Sequence, residues 1–111
     1  PLLEPDDIVN GLSLLDNYDS IFSGYKEHWI PRWDDNIPYD WDINQRPMRQ
    51  DKKELIVENG AFYISSRENI LKYKNRYSGK IGYHLMPYSR SFQLDNYDDL
   101  IIINALLKNR N

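Results

Sequence analysis

Glu54-Leu55-Ile56-Val57-Glu58-Asn59-Gly60-Ala61-Phe62-Tyr63-Ile64 decides the fold, because an apolar run is interrupted once, by Glu58-Asn59-Gly60, and then resumes. The resumed part is too short for a typical helix, and its aromatic and β-branched side chains suit a pleated surface, so it predicts a buried strand. Asn59-Gly60 then falls at the strand entrance. Glycine tolerates positive φ and admits the close approach of another backbone or a ligand, while the Asn amide offers donors and an acceptor. Taken alone, an Asn-Gly pair is more often a plain turn.

Working outward, residues 26 to 53 hold all three tryptophans, Trp29, Trp33 and Trp41, with Tyr39, three prolines and Asp34, Asp35, Asp40 and Asp42. Neither the helical nor the strand period fits. A loop this long inside a small domain is usually functional or held by a partner. Flat aromatic faces beside carboxylates suit a sugar-stacking platform; aromatic residues equally suit the core of a subunit interface. Arg46, Arg49 and Gln50 close the region. A pair of guanidinium forks matches carboxylate or phosphate, although arginines on polar loops are usually solvated.

Nearer the start, Pro5 followed by Asp6 and Asp7 predicts a helix N-terminus, with Ile8, Leu12 and Leu15 on one face. Ser20–Tyr25 reads as a short strand. After the central stretch, Ser65-Ser66-Arg67-Glu68 predicts a capped short helix, and Ile81–Met86 the next strand, stopped by Pro87. His84 within it reads as a hydrogen-bonded or exposed histidine rather than a base. Lys72, Lys74, Arg76 and Lys80 form a basic patch, more often a solvated face than a phosphate site. Gln93 and Asp95, two apart, face the same side of an extended segment and offer two oxygens to a cation or a hydroxyl. Asp95 or Asn96 also serves as N-cap of a last helix carrying Leu100, Ile103, Asn104 and Leu107 along one face.

A chain of 111 residues makes one modest domain, burying roughly 60 to 70% of its unfolded surface. With 14 basic and 17 acidic residues, a formal charge of −3 and no basic block, the electrostatic footprint of a nucleic-acid binder is missing, so no nucleic acid is expected as partner. There is no cysteine, and His28 and His84 lie far apart, which argues against thiolate sites and structural zinc. No apolar run approaches the ~18 residues that span a bilayer, and no leader pattern opens the chain. The expectation is a soluble, cytoplasmic protein without a membrane partner.

Five segments in order add a resemblance. Glu58-Asn59-Gly60-Ala61-Phe62-Tyr63-Ile64 resembles the E/P-N-G-A-hydrophobic-Y-I segment of the acylneuraminate cytidylyltransferases, the CMP-sialic acid synthetase family. Arg46-Pro47-Met48-Arg49-Gln50-Asp51 is similar to its R-R-Q-D segment, and Gly79-Lys80-Ile81-Gly82-Tyr83-His84-Leu85-Met86-Pro87 to its G-K-hydrophobic-G-Y-hydrophobic-M-P strand. Ser91-Phe92-Gln93-Leu94-Asp95 stands where the family has S-hydrophobic-D/E-I-D, and Pro1-Leu2 with Pro5-Asp6-Asp7-Ile8 is similar to S-P-L-R-x-x-E-D-I. Two positions depart from the pattern: Leu3 replaces an arginine, and Gln93 an acid.

The resemblance implies an α/β chain, part of a three-layer, Rossmann-like nucleotide-diphospho-sugar transferase fold. Residues 1–111 would be the C-terminal part of one nucleotidyltransferase domain, 26–53 its dimerisation arm in a homodimer, and the nucleotide-binding half would precede Pro1. It implies transfer of CMP from CTP to an acidic nine-carbon sugar, with Mg²⁺ as cofactor. Asn59, Arg49, Gln50 and Arg46 would bind substrate, and Asp95 and Gln93 the metal; no catalytic group is assigned. Gln93 keeps an oxygen but removes a charge, which weakens a metal site. Two alternatives stand beside this: a non-catalytic dimerisation or binding module derived from the family, and a related nucleotidyltransferase acting on another sugar.

Overall fold

The computed structural model describes residues 1–110. It is a mixed α/β arrangement of three helices and two small sheets. Helix α1 (Pro5–Ser13) leads through a 3₁₀ turn into strand β1 (Ser20–Glu27). A two-stranded hairpin, β2 (Arg32–Asp34) and β3 (Ile37–Tyr39), follows, then two further 3₁₀ turns, strand β4 (Leu55–Ser65), helix α2 (Arg67–Tyr73), strand β5 (Ile81–Leu85) and helix α3 (Tyr97–Lys108). The main sheet has the order β4-β1-β5, with β1 antiparallel to β4 and parallel to β5.

The helix boundaries follow from capping chemistry. At α1, Pro5 sits where its missing N–H costs nothing, and the Asp7 carboxylate accepts from the Glu4 N–H at 3.0 Å. At α2 the cap is Ser66, whose hydroxyl accepts from the Asn69 N–H at 3.1 Å, one residue later than a Ser65–Glu68 box would have it. At α3 the cap is Asn96: its side chain accepts from the Asp99 N–H, and the Asp99 carboxylate accepts in return from the N–H groups of Asn96 and Asp95.

Helix α1 packs on the sheet through a face rotated by about a quarter turn from the expected one. Asp7 and Gly11 are buried, whereas Ile8, Val9 and Leu12 are exposed. Two close contacts fix this orientation. A Cβ on Gly11 would lie 2.8 Å from the Phe62 ring, so only glycine lets the helix settle onto β4 there. Asp7 meanwhile reaches His84 on β5 and Arg90 beyond it.

On β5, Gly82 lies against Tyr18, His84 bonds to Asp7 and Met86 is buried, so this side is the covered one. The alternating residues Ile81, Tyr83 and Leu85 remain 46%, 46% and 37% exposed. The buried apolar side chains among the described residues are Leu2, Ile21, Met86 and Ile103. The radius of gyration is 17.2 Å, against about 13 Å for a compact chain of this length.

The segment from 26 to 53, which shows no period in sequence, contains the hairpin and a small aromatic cluster. Its strands of three residues are too short to express a period. The edges of Trp29 and Trp33 meet Trp41 at centroid distances of 6.3 and 5.3 Å, and the Trp41 indole N–H donates to the Arg32 carbonyl. Asp35, in the hairpin turn, and Asp40, just after β3, take positive φ. Trp33, Ile37, Tyr39 and Ile43 stay exposed.

Candidate functional site

Strand β4 continues through Asn59-Gly60 instead of beginning there. Its register against β1 breaks: Phe22 faces Tyr63 and Gly24 faces Glu58, so Ser23 alone stands opposite Asn59, Gly60, Ala61 and Phe62. This is a β-bulge larger than the usual two residues against one, and bulges re-aim backbone at the edge of a site. Gly60 takes φ +68°, a left-handed conformation that suits glycine.

Asn59 holds the bulge in place. It is 3% exposed, and both ends of its amide are occupied. Its Oδ1 accepts from the Ser23 hydroxyl at 2.6 Å and the Ala61 N–H at 3.1 Å, while Nδ2 donates to Ser91 Oγ at 3.1 Å and approaches Met86 Sδ at 3.3 Å. The Ser23 hydroxyl also accepts from the Phe62 N–H at 2.9 Å, and Ser91 Oγ donates to the Pro87 carbonyl at 2.8 Å. An amide has two donors and two acceptor positions, and all four are engaged here. A direct bond from Asn59 to a sugar would therefore displace an internal partner. In this conformation Asn59 shapes the site without touching what lies in it.

Beyond the bulge lies a cavity of about 320 Å³, whose lining draws on three separated segments: Leu2 and Leu3, Asn59 to Ala61, and Arg90 to Asp95. Asn59, Gln93 and Asp95 thus line one cavity. The Gln93 side-chain oxygen sits over Gly60, where a Cβ would come within 2.8 Å of it. Asp95 is exposed, and because Asn96 caps α3 the Asp95 carboxylate has no capping duty.

Arg46, Arg49 and Gln50 line a different depression, with Trp29, Pro31 and Met48, which shares no residue with the first. Arg46 lies 5.9 Å over the Trp41 ring. Within one chain these three residues do not join Asn59, Gln93 and Asp95.

Asp7, His84 and Arg90 form a second polar cluster, not foreseen from sequence as a unit. Arg90 grips the Asp7 carboxylate with both terminal nitrogens, at 2.5 and 3.2 Å, and His84 Nε2 lies 2.9 Å from the same carboxylate. Burial pushes the Asp7 carboxyl up, but the hydrogen bonds from Arg90, His84 and the Glu4 N–H outweigh it and hold the group well below the usual carboxylate range. The same bond to Asp7 raises the pKa of Arg90. The one sequence signal was an acid at the third helical position behind a proline, which reads as ordinary capping. Ser23, too, was legible only as a polar residue inside an apolar strand.

With the Asn59 and Ser91 oxygens engaged internally, the side-chain oxygens left at the cavity are those of the Asp95 carboxylate and the Gln93 carboxamide, and among the described residues no three His, Cys, Asp or Glu side chains converge as a metal centre. That set fits a magnesium ion held by one or two protein oxygens together with substrate phosphates; it does not fit an all-protein cage. No helix among the described residues is long and apolar enough to cross a membrane.

No protein-family model matches the chain.

Proposed function

We propose that this chain forms the sugar-side part of a cytidylyltransferase-like enzyme, which transfers CMP from CTP to the anomeric hydroxyl of a nonulosonic acid. The observation that carries the reading is the convergence, on one cavity, of segments from three of the family-like motifs: Leu2-Leu3, Asn59-Gly60-Ala61 and Ser91–Asp95. In the reaction the sugar hydroxyl oxygen bonds to the α-phosphorus of CTP, the bond to the β-phosphate breaks, pyrophosphate leaves and the hydroxyl proton passes to solvent. Asp95 and Gln93 would hold Mg²⁺, which when bound neutralises phosphate charge. Asn59 keeps Gly60 and Ala61 in the bulge, and the bare Gly60 Cα lets Gln93 lie against the strand.

The open side of the sheet supports the expectation of a preceding nucleotide-binding half in a Rossmann-like layer. The side of β5 away from α1 leaves Ile81, Tyr83 and Leu85 uncovered, an apolar row that a further layer of the fold would bury. A cytoplasmic location accords with this chemistry, since CTP is a cytoplasmic nucleotide. The assay is direct: the full-length protein, given CTP, Mg²⁺ and N-acetylneuraminate, should release pyrophosphate and form the CMP-sugar. Substitution of other acidic sugars tests the neighbouring specificity, and an inert protein with all of them would favour a non-catalytic module. Gln93 in place of an acid is the observation on that module's side.

The arm belongs to the same proposal. With Trp33 and Tyr39 exposed beside Ile37 and Ile43, the hairpin carries an aromatic-rich surface suited to a homodimer contact, and such a contact would offer Arg46, Arg49 and Gln50 to a neighbouring subunit's site. Sedimentation of the full-length protein should give a dimer, and Trp33→Ala with Ile37→Ala should weaken it at least about tenfold, as expected for loss of a central aromatic anchor. A wild-type monomer at micromolar concentration would remove the arm from the interface.

A further inference from the structure

We propose that Asp7 is a positioning residue for the cavity, acting through Arg90 to hold the Ser91–Asp95 wall against the bulge. Its catalytic consequence rests on the transfer reading above; its structural consequence does not. Asp7 is 4% exposed on α1, yet its partners come from the far end of the chain. The two terminal nitrogens of Arg90 take one carboxylate oxygen each, and a bidentate fork fixes orientation as well as distance. One of these nitrogens also reaches the Leu2 carbonyl at 3.4 Å. Arg90 and Leu2 both line the cavity, and Ser91, the next residue, is the acceptor for Asn59. The wall that carries Gln93 and Asp95 is therefore pinned at adjacent residues, to α1 by Arg90 and to the bulge by Ser91.

A buried ion pair is a poor way to gain stability, because desolvating two charges cancels most of their attraction. What this pair supplies is geometry. His84 reinforces it from β5: its Nε2 meets the Asp7 carboxylate and its ring stacks on Phe62 at 5.9 Å, so the latch is referred to the same sheet that carries the bulge. The remaining charged group facing the cluster is Glu4, 3.8 Å from Arg90 and shared with Arg110. Neither contact offers the planar match that Asp7 makes.

The test uses the full-length protein with Asp7→Asn and with Arg90→Lys, the latter keeping a charge against Asp7 while losing the fork. Backbone hydrogen exchange should rise about tenfold or more across residues 88–96 and stay within about twofold across β1, as expected for a local opening. With CTP and N-acetylneuraminate as probes, kcat/KM for the sugar should fall about tenfold to a hundredfold, the scale of a small misplacement in a reacting geometry, with KM for CTP little changed. Should Asp7→Asn fail to fold, Arg90→Lys alone carries the test. Exchange that is unchanged at 88–96, or raised equally throughout, overturns the latch. A local rise in exchange with sugar kcat/KM intact overturns the positioning role. If the wild type transfers no CMP but the local rise is seen, the functional reading falls and the latch stands.

Discussion

Replacing Asn59 with alanine should cost the full-length protein about 1–3 kcal/mol, because it removes a buried amide that ties three segments together, while the Ser23 and Ser91 hydroxyls keep the Phe62 backbone and the Pro87 carbonyl as partners. The groups concerned are the Ser23 hydroxyl, the Ala61 N–H and Ser91 Oγ, all joined by this one amide. Against a total stability of about 5–15 kcal/mol that is a substantial change. A shift of the urea midpoint measures it. Both substrates should suffer, since the bulge and the opposite wall lose their common tie. Asn59→Asp should behave little better: a carboxylate still accepts from Ser23 and Ala61 but has no hydrogens for Ser91 and Met86, and it places a charge in a site that is 3% exposed. A folded Asn59→Ala variant of normal stability, with only its sugar KM raised, would instead mean that the amide turns outward and contacts the sugar directly.

Outside the β2–β3 hairpin the order of elements was legible because local chemistry announces it: Pro5 and Asp7 at α1, the aromatic and β-branched runs of β1, β4 and β5, Pro87 after β5, and Asn96 with Asp99 at α3. What local chemistry does not contain is the partner across the sheet. Asn59-Gly60 looks like an entrance to a strand because the interruption is polar, whereas β1 supplies Ser23, a hydroxyl that lets β4 bulge and continue. The face of α1 was misjudged for a similar reason. Periodicity puts Ile8 and Leu12 inside, but the tie of Asp7 to Arg90, residues 83 apart, and the fit of Gly11 against Phe62 rotate the helix away from that face. Of the cavity residues, spacing alone paired only Gln93 with Asp95, at i and i+2; that Asn59 lies across from them depends on the bulge, which β1 dictates. Arg46, Arg49 and Gln50 sit beyond a hairpin whose direction no pattern in the sequence specifies.

On the transfer reading proposed above, changing Asp95 to asparagine should abolish CMP transfer by the full-length protein, and it should leave stability within about 0.5 kcal/mol of the parent, the usual range for an exposed site without a structural duty. The absence of that duty is concrete. Asn96, not Asp95, accepts from the Asp99 N–H, and the tie at Asp95 runs from its backbone N–H to the Asp99 carboxylate, which a side-chain change does not touch. In the proposed reaction Asp95 is the one carboxylate among the cavity's lining side chains, so its loss removes the negative charge that would hold the cation there and leaves the Arg90 cation as the charged side chain of the lining. Gln93→Asp is the converse experiment. Restoring a second carboxylate beside Gly60 should tighten Mn²⁺ binding, read by titration of the metal alone, by about tenfold, which corresponds to about 1.4 kcal/mol. The two carboxylates would repel one another without metal, so the same variant should lose stability in chelator and regain it when the ion is added, as ligand linkage requires. Turnover that survives Asp95→Asn, together with Mn²⁺ binding indifferent to Gln93→Asp, would take the metal away from this cavity and move the chain toward the non-catalytic module.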